Sequence, residues 1–384
     1  MTKPIYLDYN ATTPIAAEAA ETMLPYLYDF FGNPSSSHSC GVQAKLSVEN
    51  ARHQVAGLLE VQPGEIIFTS GGTEANNYAI RGYCLANRAR GGHIITSAVE
   101  HPAVLEVCRA LETDGFELSI LPVDEFGMVC VEDLGAELRP DTLLVSVMHA
   151  NNEVGTIQPV RALADLAHQV GAVFHCDAAQ SLGKIAVNRN ELGVDLLSMA
   201  GHKLYAPKGV GCLYVREGIG LQNLMYGAGH EGGHRPGTEN VLEIVGLGKA
   251  CEIAGRDLAA NQNHFRMMRD RLQAGLETAL GPEQVRINGH AQERLPNTLS
   301  LSFRGVEANR LLSEIEGEVA ASAGAACHTD SVSVSAVLKA MQVPLEWAMG
   351  TIRFSVGRGT TLEEVDRAVK IICAAVNKIN EGRQ

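Results

Sequence analysis

Short apolar runs alternate with stretches of helical periodicity over residues 65–215. Seven runs have the length and composition of strands: "EIIFTS", "GHIITSA", "FELSILPV", "TLLVSVMHAN", "AVFHCDAAQ", "DLLSMAG" and "GCLYV". Helical stretches such as "PAVLEVCRALETDG" and "VRALADLAHQVG" lie between them and end in glycine, as helices often do. This alternation favours an α/β fold with a mostly parallel sheet covered on both faces. Ligands of such sheets bind at the carboxyl ends of the strands.

The pattern changes after about residue 252. A long helical stretch, "AANQNHFRMMRDRLQAGLETALG", is followed by the apolar run "NTLSLSF" and by a closing helical stretch, "LEEVDRAVKIICAAVNKI". We therefore predict a large domain over residues 16–255, and a smaller α+β domain formed by residues 256–384 with the N-terminal arm, residues 1–15. The glycine-rich run 226–240 lies inside the large domain, where a long irregular loop is usually functional.

Composition and charge narrow the class of function. The chain has 384 residues, of which 46% are hydrophobic and 20% charged, as in ordinary globular proteins. Its net charge of −13 argues against direct binding of nucleic acid. We find no apolar run long enough to span a membrane, so we expect no membrane as a partner. The nine cysteines are scattered, with no CxxC pair, which predicts reduced thiols and no metal site. With no signal peptide at the start, these features predict a cytoplasmic protein.

Lys203 is the first candidate for chemistry. In "SMAGHKLYAPKGVG" it follows an apolar strand and has small residues around it. A lysine in these surroundings can have a lowered pKa and form a Schiff base, although a lone lysine is usually a solvated surface residue. Asp177 ends the preceding apolar strand, where an acid needs a charged partner. The pair is typical of pyridoxal phosphate (PLP) enzymes, in which an acid keeps the pyridine nitrogen protonated; a capping role for Asp177 is the alternative.

The run "FTSGGTEANN" predicts an anion site, because a strand and two glycines precede a helix. Backbone N–H groups at Gly72 and Thr73, with the helix dipole, would hold a phosphate. Three more residues suit a pyridoxal ring: His101 could stack on it, and Asn152 and Gln180 could donate to its oxygen. Each also has a structural alternative, as a strand-end or turn residue.

Two residues near the C-terminal end complete the candidate set. Arg353 lies in the apolar run "GTIRFSVGR", where a guanidinium needs an anion. The α-carboxylate of an amino acid would supply one, and a structural ion pair is the alternative. Cys327 lies in "SAGAACHTDS", which has neither helical nor strand periodicity. We predict a mobile segment that presents a reactive thiol.

Ten motifs resemble, in the same order and over nearly the whole chain, those of the cysteine desulfurases, which are PLP enzymes of the class-V aminotransferase type. They are "LDYNATTP", "FTSGGTEANN", "EHPAV", "MHANNEVGTIQP", "HCDAAQ", "GHKLYAPKGVG", "HRPGTEN", "LPNTLSLSF", "GAACH" and "IRFSVGR". The resemblance implies a homodimer of the PLP-dependent transferase fold type I, with PLP as cofactor. It implies conversion of L-cysteine to L-alanine, with the sulfur transferred through a persulfide on Cys327.

The resemblance also implies a role for each matching residue. Cys327 would be the nucleophile, Lys203 would form the Schiff base with PLP, and His101 would stack on the ring and transfer protons. The cofactor-binding residues would be Lys203, Asp177, Gln180, His101, Asn152, Gly72, Thr73, His202 and, from the other subunit, Thr238. Arg353 and Asn10 would bind the substrate.

Two features depart from the common family pattern. Family members often have Ser or Thr two residues before the His-Lys pair, but this chain has Ala200, which removes one phosphate donor. His328 after Cys327 is more similar to selenocysteine lyases, which makes conversion of L-selenocysteine to L-alanine and selenide the alternative function. An aminotransferase of the same fold and a PLP-bound scaffold without activity are more distant alternatives.

The spacing between Cys327 and Arg353 resembles the branch of the family with a long cysteine loop. That branch delivers sulfur to acceptor proteins. An iron–sulfur scaffold and proteins of tRNA thiolation or DNA phosphorothioation are equally open as acceptors.

Overall fold

The structure, a computed structural model, describes residues 3–328 and 331–382, and it describes no side chains for residues 325–328 and 331–333. The strands are β1 (Ile5–Tyr6), β2 (Ile66–Thr69), β3 (His93–Ser97), β4 (Glu117–Leu121), β5 (Thr142–Ser146), β6 (Val173–Asp177), β7 (Leu196–Ala200), β8 (Gly211–Val215), β9 (Val285–Asn288), β10 (Thr298–Phe303), β11 (Val319–Ala320), β12 (Ser322–Ala323), β13 (Ala325–His328), β14 (Ser331–Val334) and β15 (Thr351–Ser355). The helices are α1 (Ala17–Tyr28), α2 (Ser39–Leu59), α3 (Gly72–Asn77), α4 (Tyr83–Ala86), α5 (Pro102–Thr113), α6 (Val131–Glu137), α7 (Val160–Gln169), α8 (Arg189–Leu192), α9 (Val241–Arg256), α10 (Leu258–Leu280), α11 (Ala308–Glu314), α12 (Ala336–Ala340), α13 (Leu345–Ala348) and α14 (Leu362–Glu381).

A seven-stranded sheet in the order β2-β8-β7-β6-β5-β3-β4 forms the centre of the molecule. Strand β8 is antiparallel to both of its neighbours, and the other pairs are parallel. The prediction of a mostly parallel sheet is confirmed, and all seven apolar runs that we predicted as strands are strands. Strands β5, β6 and β7 are buried at every position, which explains why their sequences are continuous apolar runs.

Hydrophobic clusters cover both faces of this sheet. Neighbouring residues of one strand belong to opposite clusters: Leu144 and Leu196 pack on the side of α5, whereas Val145 and Leu197 pack on the side of α7 and α9. This division follows from the alternation of side chains along a strand. The predicted helical stretches between the strands are helices α5 and α7. Each of these two is followed by a glycine of positive φ, Gly115 (90°) and Gly171 (77°).

A smaller sheet, β12-β15-β10-β9, is antiparallel throughout. Helices α10 and α14 pack on it around a separate apolar cluster that includes Leu272, Ile352 and Ile372. The N-terminal strand β1 pairs with β11, so the start of the chain lies against this part of the molecule. These elements confirm the predicted smaller α+β unit, while the domain bounds at residues 15/16 and 255/256 stay a prediction.

The segment around Cys327 differs from the irregular loop that its sequence predicts. Its backbone forms strand β13, which pairs antiparallel with β14 and sets Cys327 opposite Val332. The structure does not describe the side chains of Cys327 and His328. The eight cysteines with described side chains are free thiols. Within residues 3–328 and 331–382, no helix is both long and apolar enough to cross a membrane.

Candidate active site

A cavity of about 290 Å³ lies at the carboxyl edge of the central sheet. The chain segments that follow β2, β3, β5, β6 and β7 all contribute to its wall, since the carboxyl ends of these strands meet at one edge. The residues that line the cavity are Ala11, Gly72, Thr73, Asn76, His101, Ala103, Met148, Ala150, Asn152, Asp177, Ala179, Gln180, Ala200, His202 and Lys203. Eight of the predicted site residues therefore share one cavity: Gly72, Thr73, His101, Asn152, Asp177, Gln180, His202 and Lys203.

Lys203 ends a short 3₁₀ turn after β7, so that its amine returns toward the carboxyl edge. Its Nζ donates to the main-chain oxygen of Asn10 over 2.7 Å. Burial, reinforced by the positive charge of Arg353, lowers the pKa of Lys203 to about 8, against the opposing effect of Asp177 and Asp8. About a tenth of this amine is then unprotonated at pH 7, and the unprotonated form is the one that attacks a carbonyl.

Asp177 is buried at the end of β6 and presents its carboxylate to the cavity. Asn76 Nδ2 donates to Asp177 Oδ2 over 2.7 Å, and the backbone N–H of Ala179 donates to Oδ1 over 2.9 Å. These contacts fix the carboxylate in one orientation. Each of its oxygens keeps further acceptor capacity for a donor inside the cavity.

The turn between β2 and α3 is built on glycine. Gly71 has a φ of 150°, a backbone conformation that a residue with a side chain rarely adopts. At Gly72 a Cβ would lie 3.2 Å from the Cβ of Ala200, so the turn and the end of β7 are closely packed. Glu74 closes the turn by accepting from the backbone N–H of Ser70 over 2.7 Å, and Arg235 pairs with the same carboxylate at 2.9 Å.

The two histidines of the cavity differ in how they are held. His101 is the N-cap of α5, and its Nδ1 accepts from the backbone N–H of Ala103 over 3.1 Å. Its other ring nitrogen, Nε2, therefore carries the proton in the neutral form, and burial lowers the pKa of His101. His202 is held through Nδ1 by Thr12 Oγ1 at 3.2 Å, and burial together with Lys203 and Lys208 lowers its pKa to about 4.

Asn10 has a different place from the substrate contact that we predicted. It is fully buried and is absent from the cavity lining. Its Oδ1 accepts from Lys184 at 2.9 Å and from Asn297 at 3.0 Å. Its Nδ2 donates to Thr298 Oγ1 at 2.8 Å and to the carbonyl of Asn152 at 3.2 Å. Asn10 thus lies behind the cavity wall and bonds to two residues that line it, Asn152 and Lys203. A contact between Asn10 and the substrate stays a prediction.

Arg353 lies beside the cavity but does not line it. One Nη atom contacts Asp8 Oδ1 at 2.7 Å and Ser322 Oγ at 3.1 Å, and the other contacts the carbonyl of Asn152 at 3.1 Å. Its Nε is buried and has no partner among the described residues. The structural ion pair that was the alternative for Arg353 is therefore present, and one donor remains for an anion.

Thr238 lies in a neighbouring cavity of about 240 Å³, which Ser70 and Arg235 also line. It is exposed, in the irregular segment before α9. Within its own chain it does not reach the first cavity, so the predicted phosphate contact would have to be made in another subunit.

Three residues of the site were missed by the sequence reasoning. Asn76 holds Asp177, Asp8 holds Arg353, and Lys184 donates to Asn10 and Gln180. All three lie inside or next to the quoted motifs, but no local pattern shows their contacts, which are side-chain hydrogen bonds between distant elements. For Lys184 the sequence offered one signal, a lysine inside the mostly apolar stretch "SLGKIAV".

The cavity fits PLP. Asp177 offers acceptors for a protonated pyridine nitrogen, and Lys203 offers an amine for the aldehyde. The buried Asn76 Oδ1 has no partner among the described residues, which is a further sign that this side of the cavity is built for a polar ligand. Gly71 and Gly72 have no side chains to cover the backbone of their turn. The N–H groups there can therefore bind a phosphate beside Thr73 and His202, which line the same cavity as Gly72.

The comparisons with known proteins agree with this geometry. The family model described as aminotransferase class-V matches residues 5–368. A cysteine desulfurase IscS of Dictyoglomus turgidum is 45% identical over 380 residues, which cover 99% of this chain and 96% of that protein. A solved NifS-like protein superimposes with a TM-score of 0.92 and 37% identity, covering 98% of this chain and 100% of the other. The structure "SspA in complex with cysteine" has a TM-score of 0.82 and 34% identity, with 94% and 100% covered.

The chain therefore belongs to the class-V aminotransferase family, and within that family to the cysteine desulfurases. It is a PLP-dependent enzyme with the fold of the NifS-like proteins. The predicted family, fold class and cofactor are confirmed by these matches.

Proposed function

We propose that this cavity converts L-cysteine to L-alanine and that Cys327 receives the sulfur. The proposal rests on one observation: Lys203 and Asp177 line the same cavity. The chain that forms this cavity is 45% identical to a cysteine desulfurase. The neighbour solved in complex with cysteine supports the choice of substrate. When bound, PLP acts as an electron sink for the bond changes at the substrate Cα.

Each wall of the cavity would hold one part of the cofactor. Asp177 would accept from the pyridine nitrogen, because its carboxylate is oriented by Asn76 and carries acceptor capacity toward the cavity. Asn152 and Gln180 would donate to the ring oxygen from their amide groups. Gly72, Thr73 and His202 would bind the phosphate at the opposite end. Burial keeps the His202 ring neutral at pH 7, so His202 would act as a neutral donor rather than as a cation.

Lys203 and His101 would handle protons. Lys203 would hold PLP covalently and, once released by the substrate, its amine would act as a base. The lowered pKa of about 8 keeps part of this amine unprotonated at pH 7. His101 would stack on the ring and use Nε2 for proton transfer, because its Nδ1 is occupied as the cap of α5.

Arg353 would bind the α-carboxylate of L-cysteine. Its buried Nε lacks a partner among the described residues, whereas its two Nη atoms are held by Asp8, Ser322 and Asn152. A charge-assisted hydrogen bond from Nε would satisfy this donor and orient the substrate. Asn10 would help to position Arg353, because Asn10 Nδ2 and Arg353 both donate to the carbonyl of Asn152.

Cys327 would accept the sulfur as a thiolate, since only that form is nucleophilic. The Cys327 sulfur forms a bond with the substrate sulfur while the substrate Cβ–S bond breaks. The electron pair left on Cβ takes up a proton, which gives alanine, and Cys327 keeps a persulfide. Strand β12, which precedes the strand of Cys327, begins with Ser322, and Ser322 Oγ accepts from Arg353. The segment that leads to Cys327 therefore starts beside the residue that we assign to the substrate carboxylate.

We further propose a cytoplasmic homodimer, in which Thr238 of one subunit completes the phosphate site of the other. The exposed position of Thr238 next to Ser70 suits this role. The free state of the eight cysteines with described side chains agrees with a reducing compartment. The persulfide would pass to an acceptor protein of iron–sulfur assembly, of tRNA thiolation or of DNA phosphorothioation.

The alternative is a selenocysteine lyase, which His328 next to Cys327 favours. The test is alanine release from L-cysteine and from L-selenocysteine by wild type, Cys327→Ala and the exposed control Cys130→Ala. Loss of activity on cysteine in Cys327→Ala alone supports the desulfurase. Full cysteine activity in Cys327→Ala contradicts the role of Cys327. Turnover of selenocysteine without turnover of cysteine in wild type supports the lyase.

A further inference from the structure

Lys184 is a buried lysine under the candidate active site, outside the set of residues that the proposed function uses. It is 5% exposed and lies in the turn that leads away from β6. Its Nζ donates to Gln180 Oε1 over 2.7 Å and to Asn10 Oδ1 over 2.9 Å. No salt bridge with a carboxylate is found for it among the described residues, which is unusual for a buried lysine.

The turn that carries Lys184 is pressed against the segment of Lys203. Gly183 has a φ of 72°, and a Cβ there would lie 2.6 Å from Leu204 Cδ1. A larger residue at this position would collide with the Leu204 side chain. The turn that carries Lys184 therefore packs directly against the residue that follows Lys203.

The contacts of Lys184 select one orientation for the amide of Gln180. A lysine amine pairs with an oxygen at this distance, so Gln180 Oε1 faces Lys184 and its NH₂ group faces away. One hydrogen of that group bonds to the main-chain oxygen of Asn10 over 3.0 Å, and Gln180 lines the cavity. The remaining N–H is therefore available to a ligand in the cavity.

The Lys184 amine also bonds to Asn10, the residue whose main-chain oxygen accepts from Lys203. Asn10 accepts from Lys184 with Oδ1, and its main-chain oxygen accepts from Lys203 Nζ over 2.7 Å. Lys184, Gln180, Asn10 and Lys203 thus form a connected hydrogen-bond network between the core and the cavity. Removal of Lys184 would take from Gln180 Oε1 its donor within the network, while Asn10 Oδ1 would keep only the bond from Asn297.

We propose that Lys184 is a positioning residue that keeps the N–H donor of Gln180 directed at the ring oxygen of PLP and steadies the Asn10 carbonyl under Lys203. This inference rests on the proposed function, because it takes the ring oxygen as the acceptor for Gln180. Burial, then the positive charges of Lys203 and Arg353, lower the pKa of Lys184 well below the ordinary value. Its Nζ donates to two amide oxygens, Gln180 Oε1 and Asn10 Oδ1.

A donor directed at the ring oxygen stabilises the deprotonated form of that oxygen. Without the donor, the bound cofactor keeps its proton to higher pH. The charged and titratable groups that face Lys203 are Arg353, Asp177, Asp8, His101 and His202. None of these is removed by a change at Lys184, but Lys184 is itself coupled electrostatically to Lys203. An effect of that charge would be the same with and without Gln180, so the double-mutant cycle below separates it from the hydrogen-bond network.

The test is the pH dependence of the visible absorption of the PLP-loaded protein, wild type against Lys184→Met. Methionine has a similar length and no hydrogen-bond donor. We expect the midpoint to rise by about one pH unit, as for the loss of one hydrogen bond to a charged group. The dissociation constant for PLP should rise several-fold. An unchanged midpoint with unchanged PLP affinity in Lys184→Met overturns the proposal.

A double-mutant cycle separates positioning from a general loss of stability. If Lys184 acts through Gln180, Gln180→Leu alone shifts the midpoint, and adding Lys184→Met to it produces little further shift. Equal shifts in both backgrounds overturn the proposed route through Gln180. Leu272→Ala, in the core of the smaller sheet, is the control that lowers stability and leaves the midpoint unchanged.

If Lys184→Met does not fold, Lys184→Gln takes its place. A glutamine can present either an oxygen or an N–H to Gln180, so it no longer selects one amide orientation. We expect a smaller rise of the midpoint, and an unchanged midpoint overturns the proposal. A wild type that binds no PLP or releases no alanine overturns the proposed function as well. A wild type that does both, with unchanged Lys184 variants, overturns only this inference.

Discussion

The two sides of the candidate active site are built differently. On the sheet side, Asp177 and Lys203 follow buried strands, and each is held by partners within the site. On the opposite side, Arg353 comes from the smaller sheet, lies outside the cavity lining and is paired with Asp8. The side that we assign to the cofactor is therefore preorganised by the fold. The side that we assign to the substrate carboxylate keeps an unpartnered donor among the described residues, Arg353 Nε.

The sharpest way to break this comparison is to remove the amine of the sheet side. We expect Lys203→Ala to lower alanine release by about 10³-fold or more, because it removes both the covalent link to PLP and a base. The visible absorption of the bound cofactor should change with it. Lys208→Ala is the matched control, since Lys208 is exposed five residues later and does not line the cavity. Retained activity in Lys203→Ala would remove the basis of the sheet-side assignment.

A change at Arg353 tests the other side. We expect Arg353→Lys to raise KM for L-cysteine by about 10²-fold, while the PLP absorption stays unchanged, because a single lysine amine cannot pair with Asp8 and also place a donor at the position of Nε. Steady-state kinetics and an absorption spectrum measure the two effects. Arg271→Lys, an exposed arginine paired with Asp366, serves as control. If Arg353→Lys loses PLP but keeps its KM, the assignment of the two sides is reversed.

The lowered pKa of Lys203 makes a prediction about pH. The amine attacks the PLP aldehyde only when it is unprotonated, and its pKa is lowered to about 8 from an ordinary value of 10.5. Reloading of the apoprotein with PLP should therefore accelerate between pH 6 and pH 8 by roughly fiftyfold, and level off above pH 9. Stopped-flow absorbance measures this rate. A rate that keeps rising tenfold per unit through pH 10 would mean that the amine is not shifted.

The smallest effect concerns the phosphate end of the sheet side. Ala200 lines the cavity and packs against Gly72, where family members often have a hydroxyl. We expect Ala200→Ser to lower the dissociation constant for PLP by about fivefold, the value of one hydrogen bond. Ala206→Ser, buried but outside this cavity, is the control for a buried hydroxyl. Weaker PLP binding in Ala200→Ser alone would show that the hydroxyl lacks a partner at this end.

Local sequence patterns predicted the sheet side well. Apolar runs mark the buried strands, and Lys203 and Asp177 stand where these runs end, so their meeting follows from the common edge of parallel strands. The prediction was weaker for Asn10, whose motif was recognised but whose buried place was not. The strand that carries Cys327 and its pairing with β14 were also not predicted, because the small and polar residues there carry no strand periodicity.

By itself, the sequence determined the strands and helices of the central sheet, the family and the chemistry-bearing residues, because periodicity and motif order are local properties of the chain. The tertiary structure alone decided which of these residues share a cavity and which support it. Lys184 meets Asn10 across 174 positions, and Arg353 meets Asp8 across 345. Such hydrogen bonds depend on how distant segments pack together, and a side chain's type does not state which partner the packing will supply.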